Sequence, residues 1–350
     1  MRRILSSLLL LAAPLVAVAQ EGELAVQKTP TTLEFRVGKD VVTKYQYAGE
    51  VQVEKGDGMK PLAKPFFYPV NAPNGVQVTR GWPMVRGTAG EKTDHFHQKS
   101  VWFCHGDVIP EGLELKVKSA DKRIHGIDFW AEGGNHGRIV TLLVGDVKTI
   151  SKTHMSVTTT NAWQAADGTK VMDETRTLHV ITLPVGRMIV FDIDLHASVC
   201  PIAFGDTKEG STGVRVNDVI RLESKDGGVV TSSQGSVAKA PGKDNLPMWG
   251  EIAAWHDYSG TIDGKVAGVA IFDHPSNVQK AAWHTRAYGL MSANPFGRAG
   301  SGFPALKGNA ELVKIPKGEH LKLKYAVYAH SGDATAGGVA EAYKQFAAMK

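Results

Sequence analysis

Cysteine is nearly absent from this chain, which has only two cysteines among 350 residues. So few thiols exclude a small domain stapled by several disulfides, a zinc ribbon and a four-cysteine iron–sulfur site. Hydrophobic residues make up 43% of the sequence and charged residues 21%, which is an ordinary globular composition. Stability must therefore come from a packed core.

A strong charge of one sign is also lacking, since the formal net charge is only +5 and the basic residues are dispersed. A nucleic-acid-binding protein needs a concentrated basic surface, so we expect no nucleic-acid partner. Phosphate-loop and serine-hydrolase motifs are missing as well. Gly38-Lys39 and Gly242-Lys243 are each followed by aspartate, and no Gly-x-Ser-x-Gly elbow occurs.

The N-terminus has the pattern of a secretory signal peptide. Arg2 and Arg3 precede an apolar run from Ile4 to Val18, and small residues lead up to Ala19. We therefore expect residues 1–19 to be removed near Ala19 and the protein to be periplasmic or secreted from a bacterium. No other apolar run approaches the ~18 residues that cross a bilayer, so we expect no membrane span.

The remaining sequence is dominated by alternation with a period of two, which is typical of β-strands. Ile189, Phe191, Ile193 and Leu195 share one face of such a segment. Similar β-rich runs cover residues 138–144, 156–160, 175–183, 214–222, 266–272 and 321–328. The pattern predicts an all-β protein, a large antiparallel β-sandwich, with a helix after Gly338. Residues 20–350 are expected to form a single domain.

The two cysteines allow two interpretations. A disulfide between Cys104 and Cys200 would close a long loop and stabilise the fold by roughly 4 kcal/mol. Cys104 follows Trp102 and Phe103 in an apolar run, however, where a buried free thiol is equally reasonable. The sequence does not decide between them.

The densest group of chemically active residues lies between Asp94 and Asp107. His95, His97, His105 and Asp107 are natural sources of a general acid and base. In an extended chain, His95 and His97 would share one face, and His105 and Asp107 would share another. The two histidines of the first pair are alternatively metal ligands. For each of them singly, turn capping or pairing with buried backbone groups is the ordinary role.

Two further segments carry candidate residues. His284, Arg286 and Tyr288 would point the same way on a strand, where they would bind an anionic or polyhydroxylated ligand and move a proton. A solvated strand face explains the same spacing. Asp128 and Trp130 combine a carboxylate with an indole, as in sites where a sugar ring stacks on an aromatic side chain.

Five ordered motifs resemble the PmoA-like family of exported bacterial proteins of unassigned function. They are KPFFYPVNAPNGVQVTRGWPM (64–84), DHFHQKSVWFCHGDV (94–108), GIDFW (126–130), FGDTKEGSTGVRV (204–216) and DHPSNVQKAAWHTRAYGLMSANPFG (273–297). Particulate methane monooxygenase is an integral membrane enzyme, so the methane-oxygenase label attached to that family does not fit this chain. The family pattern D-H-P-H-H-R is DHFHQK here, which puts any role of a third histidine in doubt.

The resemblance implies a fold similar to the galactose mutarotase-like β-sandwiches, many of which process carbohydrates. We therefore expect an exported carbohydrate-active enzyme of the epimerase, lyase or hydrolase type, with no cofactor. The expected catalytic residues are His95, His97, His105, Asp107, Asp128, His284 and Arg286, and the expected substrate-binding residues are Arg80, Trp130, Lys208, Tyr288 and Asn294. The expected partner is a carbohydrate or another polyhydroxylated small molecule. The alternatives are a noncatalytic glycan-binding module and a metal-dependent enzyme with His95 and His97 as ligands.

Overall fold

The computed structural model describes residues 22–244 and 246–350, so the expected signal peptide lies outside the described residues. The first strands are β1 Leu24–Lys28, β2 Thr32–Val37, β3 Asp40–Gln46, β4 Glu50–Gln52, β5 Met59–Pro61, β6 Phe66–Val70, β7 Val101–His105, β8 Val108–Pro110, β9 Arg138–Val144, β10 Lys148–Ser151, β11 His154–Gln164 and β12 Lys170–Thr182. They are followed by β13 Gly186–His196, β14 Ile202–Phe204, β15 Gly210–Arg215, β16 Val229–Ser232, β17 Val237–Lys239, β18 Trp255–Ile262, β19 Lys265–Asp273, β20 Ala282–Trp283, β21 Leu290–Asn294, β22 Val313–Ile315, β23 His320–Ser331 and the helix α1 Val339–Ala347. Three short 3₁₀ helices cover Asp218–Ile220, Ala299–Ser301 and Pro304–Leu306.

Two large antiparallel sheets make up the sandwich. The eight-stranded sheet has the order β1-β2-β3-β6-β7-β15-β21-β20. The ten-stranded sheet has the order β10-β11-β12-β13-β23-β19-β18-β16-β17, with β9 also paired to β11. Smaller sheets join β22-β14-β8 and β4-β5. The prediction of an all-β antiparallel sandwich with a C-terminal helix is confirmed.

The alternation along β13 separates two hydrophobic layers. Phe191 faces the eight-stranded sheet, where its ring meets Phe67 edge to face with centroids 5.5 Å apart. Val190 points the other way and packs with Phe346 of α1. The helix follows Gly338, whose φ of 63° lies in the left-handed region that glycine adopts at little cost. The ten-stranded sheet is thus covered on both faces.

Strand β7 has an inward and an outward face, and this division positions the cleft described below. Phe103 points inward against Trp163 of the ten-stranded sheet. Trp102 points outward, where its ring meets Trp130 edge to face at 5.1 Å. A Cβ atom on Gly213 of the neighbouring strand would come within 2.5 Å of the Trp102 ring, so the indole lies flat on the sheet because a glycine is there.

Two predicted strands are wrong in extent. The run 214–222 is extended only to Arg215, after which a 3₁₀ helix covers Asp218–Ile220. The strand expected to carry His284 through Tyr288 ends at Trp283. The chain then turns back, since the backbone N–H of Gly289 donates to the carbonyl of Arg286. Local turn formation therefore overrides the alternating pattern at both places.

Cys104 and Cys200 are buried free thiols, so the disulfide is not formed. Burial raises the pKa of the Cys104 thiol to about 12, which leaves it protonated at neutral pH. In the part of the chain that the structure describes, no helix is both long enough and apolar enough to span a bilayer.

Candidate functional site

A cleft of about 550 Å³ lies on the outer face of the eight-stranded sheet, beneath the loops that flank β7 and β15. This volume is in the usual range of small-molecule sites. The lining residues are His95, His97, Gln98, Gly106, Asp121, Arg123, Ile124, Asp128, Trp130, Ala131, Asp206, Thr207, Lys208, Glu209, Tyr288, Gly300 and Ser301. The cleft thus combines carboxylates, imidazoles and aromatic rings.

One wall is built from His95 and the groups that fix it. Its ring stacks on Tyr288 with centroids 4.8 Å apart, and its Nδ1 lies 3.1 Å from a carboxylate oxygen of Asp94. The buried guanidinium groups of Arg80 and Arg215 hold the other oxygen of Asp94 at 2.5 and 2.9 Å. Burial opposes ionisation of Asp94, but these partners outweigh it and hold its pKa well below its usual range. His95 is therefore held in a fixed orientation.

His97 lies beside a buried cluster of charges that we call the lysine–glutamate cluster, Lys64, Lys99 and Glu132. The carboxylate of Glu132 receives Lys64 Nζ at 3.1 Å and Lys99 Nζ at 2.5 Å. Burial, together with the positive charge of Lys64, holds the pKa of His97 well below its usual range. At neutral pH the imidazole of His97 is uncharged, and because the same surroundings oppose its protonation it is suited to accepting a hydrogen bond more than a proton.

Asp128 forms the opposite side of the cleft. Its Oδ1 accepts hydrogen bonds from the backbone N–H groups of Trp130 and Ala131 at 2.8 and 3.0 Å, which fixes the side chain in a turn. Burial nevertheless raises the pKa of Asp128 to about 6. Such a carboxyl group changes protonation near physiological pH, as a general acid or base must.

Glu209 is a second carboxyl group in the cleft. Burial raises its pKa, and the negative charge of Asp128 adds to that increase. Behind it, His284 Nδ1 donates to the carbonyl oxygen of Lys208 at 2.9 Å and lies 3.9 Å from a carboxylate oxygen of Glu209. Burial lowers the pKa of His284 to about 3, so this imidazole is neutral. It supports the loop that presents Glu209.

His105 and Asp107 do not reach the cleft, contrary to their expected place in a common site. His105 is on the inward side of β7, where it packs against Phe296 and its Nε2 donates to the carbonyl of Gly205 at 2.9 Å. Asp107 is buried and accepts the backbone N–H of Gly126 at 2.7 Å. Both share the parity of Phe103, so the pleat that carries Trp102 toward the cleft turns them away from it.

Three other expected site residues also lie outside the cleft. Arg80 is buried behind the His95 wall, where it holds Asp94. Asn294 is buried and its Nδ2 donates to the carbonyl oxygen of Thr207 at 2.9 Å, so it positions a cleft loop. Arg286 forms an ion pair with Asp244 and lines a neighbouring cleft.

The structure therefore brings together one half of the expected residues, and the other half lies in the core, behind the walls or, for Arg286, in a neighbouring cleft. The first group is His95, His97, Asp128, Trp130, Lys208 and Tyr288, and the second is His105, Asp107, His284, Arg286, Arg80 and Asn294. Sequence reasoning missed Glu209, Asp206, Thr207 and Gln98, although three of them lie within two residues of Lys208 in the motif FGDTKEGSTGVRV. The signal that could have identified them is a run of polar residues in the loop just before a strand that contains two glycines, Gly210 and Gly213.

The two histidines considered as metal ligands, His95 and His97, meet edge to face with ring centroids 5.8 Å apart. Within residues 22–244 and 246–350, no group of three or more histidine, cysteine, aspartate or glutamate side chains is arranged to hold a metal ion.

The solved structures with a similar fold include the following three proteins. The GH36 alpha-galactosidase AgaB from Geobacillus stearothermophilus has a TM-score of 0.42 and 9% identity, covering 89% of this chain and 42% of its own, so this chain spans less than half of that protein. Galactose 1-epimerase from Lactobacillus acidophilus NCFM has a TM-score of 0.36 and 8% identity, over 89% of this chain and 100% of its own. A galactose mutarotase-like protein from Clostridium acetobutylicum has a TM-score of 0.35 and 10% identity, over 89% and 100%. At these TM-scores the likeness says nothing about the chemistry of this chain.

No curated protein matches the sequence. A family of unknown function, DUF6807, matches residues 32–344, which is most of the chain. Nothing in this match links the chain to PmoA or to methane oxygenase. The chain belongs to the family of unknown function DUF6807.

Proposed function

We propose that the cleft beside β7 binds a carbohydrate, that Asp128 and Glu209 transfer protons to and from it, and that the neutral imidazole of His97 accepts a hydrogen bond from one of its hydroxyl groups. One observation carries the proposal: two carboxyl groups with raised pKa values, Asp128 and Glu209, line the same cleft. The negative charge of Asp128 adds to the raised pKa of Glu209, so Glu209 holds a proton more readily while Asp128 is charged. That arrangement supplies an acid and a base in one site.

The lining also matches the chemistry of a sugar. Hydroxyl groups donate hydrogen bonds to carboxylates and to a neutral imidazole such as that of His97, while the C–H face of the ring packs on aromatic side chains. Tyr288 supplies aromatic surface and Lys208 adds a cation, whereas Trp130 is almost fully buried against Trp102 and forms the floor of the cleft. The expected export of the protein would place this cleft where extracellular glycans occur.

The test uses purified mature protein and a panel of reducing monosaccharides, disaccharides and polysaccharides. Proton NMR follows change at each ring carbon, release of reducing ends and formation of unsaturated products. We expect one panel member to be converted, and we expect Asp128→Asn and Glu209→Gln each to lower turnover by roughly 10²- to 10⁴-fold. Asp128→Asn keeps an oxygen that accepts the N–H groups of Trp130 and Ala131, so folding should survive.

Glu341→Gln is the control, because Glu341 is an exposed carboxylate on α1 and its loss should not alter turnover. The pH profile sharpens the assignment: if Asp128 is the base, it must be ionised, so the rate falls as pH drops below its pKa of about 6. Equal turnover in all variants would contradict the catalytic proposal. Tight binding of a glycan with no product would instead favour the noncatalytic glycan-binding module.

A further inference from the structure

A second cleft of about 340 Å³ adjoins the first one. It is lined by Asp244, Leu246, Pro247, Trp249, Arg286 and Pro304. Neither Asp128 nor Glu209 lines this cleft, so the proposed proton transfer does not account for its aromatic and charged lining.

The two clefts lie side by side, and the same two loops contribute to the walls of both. On one side, Tyr288 lines the first cleft and Arg286 lines the second, and the guanidinium carbon of Arg286 lies 5.6 Å from the Tyr288 ring centroid. On the other side, a single loop contributes Ser301 to the first cleft and Pro304 to the second. A chain of linked rings could therefore occupy both without leaving the surface.

Trp249 fixes the boundary between the clefts. Its Nε1 donates to the carbonyl oxygen of Gly302 at 3.1 Å, which ties the indole to the shared loop. Its ring meets His284 edge to face at 5.2 Å, and His284 in turn supports Glu209 in the first cleft. The indole is half-buried, so part of it faces the second cleft.

The charges in the second cleft balance. Arg286 forms an ion pair with Asp244, and its guanidinium carbon lies 5.2 Å from the Trp249 ring centroid. An uncompensated cation would select an anion, whereas a paired guanidinium and carboxylate offer donors and acceptors to neighbouring hydroxyl groups. Together with an indole, this set suits a neutral hydroxylated ring.

We propose that the second cleft is a binding subsite for another sugar unit, so that the protein takes oligosaccharides whose adjoining units occupy the two clefts. This inference rests on the proposed function of the first cleft. It assigns the substrate class as a chain of at least two units and makes Trp249 a specificity-determining residue.

Isothermal titration calorimetry tests the inference with glucose-, galactose-, mannose- and xylose-based saccharides of one, two and four units. In the series that binds, we expect affinity to rise roughly tenfold from one unit to the longer chains. Trp249→Ala should remove that gain, so that chains of one, two and four units bind with the same Kd, because aromatic anchors dominate binding surfaces. Trp249→Phe, which keeps an aromatic ring, should retain most of the gain and guards against simple misfolding of the loop.

Trp255→Ala is the matched control, since Trp255 is also half-buried but packs beside α1 on the other sheet. It should preserve the gain. Binding of the single unit without any gain in longer chains would overturn the second subsite and leave the proposed function standing. Failure of every saccharide to bind would overturn both. An equal loss for one unit and for longer chains in Trp249→Ala would also contradict a separate subsite.

Discussion

Two buried carboxylates on opposite sides of the eight-stranded sheet have very different surroundings. Glu174, between the sheets, has one cation: Arg176 Nε lies 2.5 Å from one of its oxygens, and Trp163 Nε1 donates to the other at 2.7 Å. Glu132, on the outer face, lies between two buried ammonium groups, those of Lys64 and Lys99. The inner pair, Glu174 and Arg176, is balanced in charge. The outer cluster, that is, the lysine–glutamate cluster of Lys64, Lys99 and Glu132, has an excess of positive charge.

The difference appears in the titration of the cations. Burial opposes the charge on Arg176, but Glu174 outweighs it and raises the guanidinium pKa. In the outer cluster burial also opposes the charge on Lys64, but Glu132 and its neighbours outweigh it and raise the pKa of Lys64, whereas burial prevails at Lys99 and lowers its pKa to about 8. The inner pair therefore has a structural role within the core, whereas the outer cluster sets the electrostatic potential around His97. Charge balance, more than burial itself, separates a structural pair from a group that tunes a site.

The largest effect is expected when the outer cluster loses its anion. Glu132→Gln leaves Lys64 and Lys99 buried with no carboxylate, which should cost about 3 to 5 kcal/mol of unfolding free energy. Urea denaturation at pH 7 measures the loss. Glu341→Gln on the exposed face of α1 should change stability little. A loss below about 1 kcal/mol would mean that the lysines are not truly desolvated.

Breaking the inner pair gives the next largest effect and should be reversible by a second substitution. Arg176→Met leaves Glu174 without its cation and should cost about 3 kcal/mol. The double variant Glu174→Gln with Arg176→Met should recover most of that loss, because a balanced pair leaves no charge behind when both members are replaced. A double-mutant cycle by urea denaturation checks this. If the double variant recovered none of the lost stability, the Glu174–Arg176 pair would not behave as a balanced pair, and the contrast with the lysine–glutamate cluster would fail.

The smallest effect is a dependence of stability on pH. The pKa of Lys99 is about 8 in the folded protein and 10.5 without the fold, because burial disfavours the ammonium form. Between these values the unfolded chain binds more protons, so the contribution of Lys99 to stability rises with pH by about 1 to 2 kcal/mol.

Unfolding free energies of the wild type and Lys99→Met, measured from about pH 8 to pH 10, isolate this contribution. The wild type should gain stability relative to the variant as pH rises. Glu132 still has Lys64 as a partner in the variant, so folding should persist. Parallel curves for the two proteins would show that Lys99 has an ordinary pKa.

The regular elements were predictable because local patterns specify them. Alternating apolar residues along 186–196 place one face of a strand in the core, and the apolar stripe after Gly338 does the same for a helix. Both the strand and the helix form as predicted. Prediction failed where a turn interrupts the pattern, as after Trp283 and after Arg215. There the hydrogen bonds of a turn decide the path, and residue type carries a weaker signal.

The cleft was only partly predictable, because residue type shows which groups are chemically capable but does not show which way they point. His95, His97 and Asp128 were identified from residue type, from their grouping along the sequence and from the family resemblance, and all three line the cleft. His105 was placed with them, yet the pleat of β7 sends it inward. Glu209 was missed because its carboxyl group becomes a candidate only when the fold sets it opposite Asp128.

The amino-acid pattern alone specifies a β-rich protein with a C-terminal helix, because periodic burial of apolar side chains follows from spacing along the chain. Which polar groups line a solvent-filled cleft and which are buried in the core depends on the three-dimensional arrangement of the strands and loops. Such groups are brought together by loops far apart in sequence, and their pKa values depend on neighbours such as Lys64 that no local pattern specifies. Local sequence patterns specify the secondary structure, but the pKa values of the groups in a site depend on contacts between residues that are far apart in the sequence.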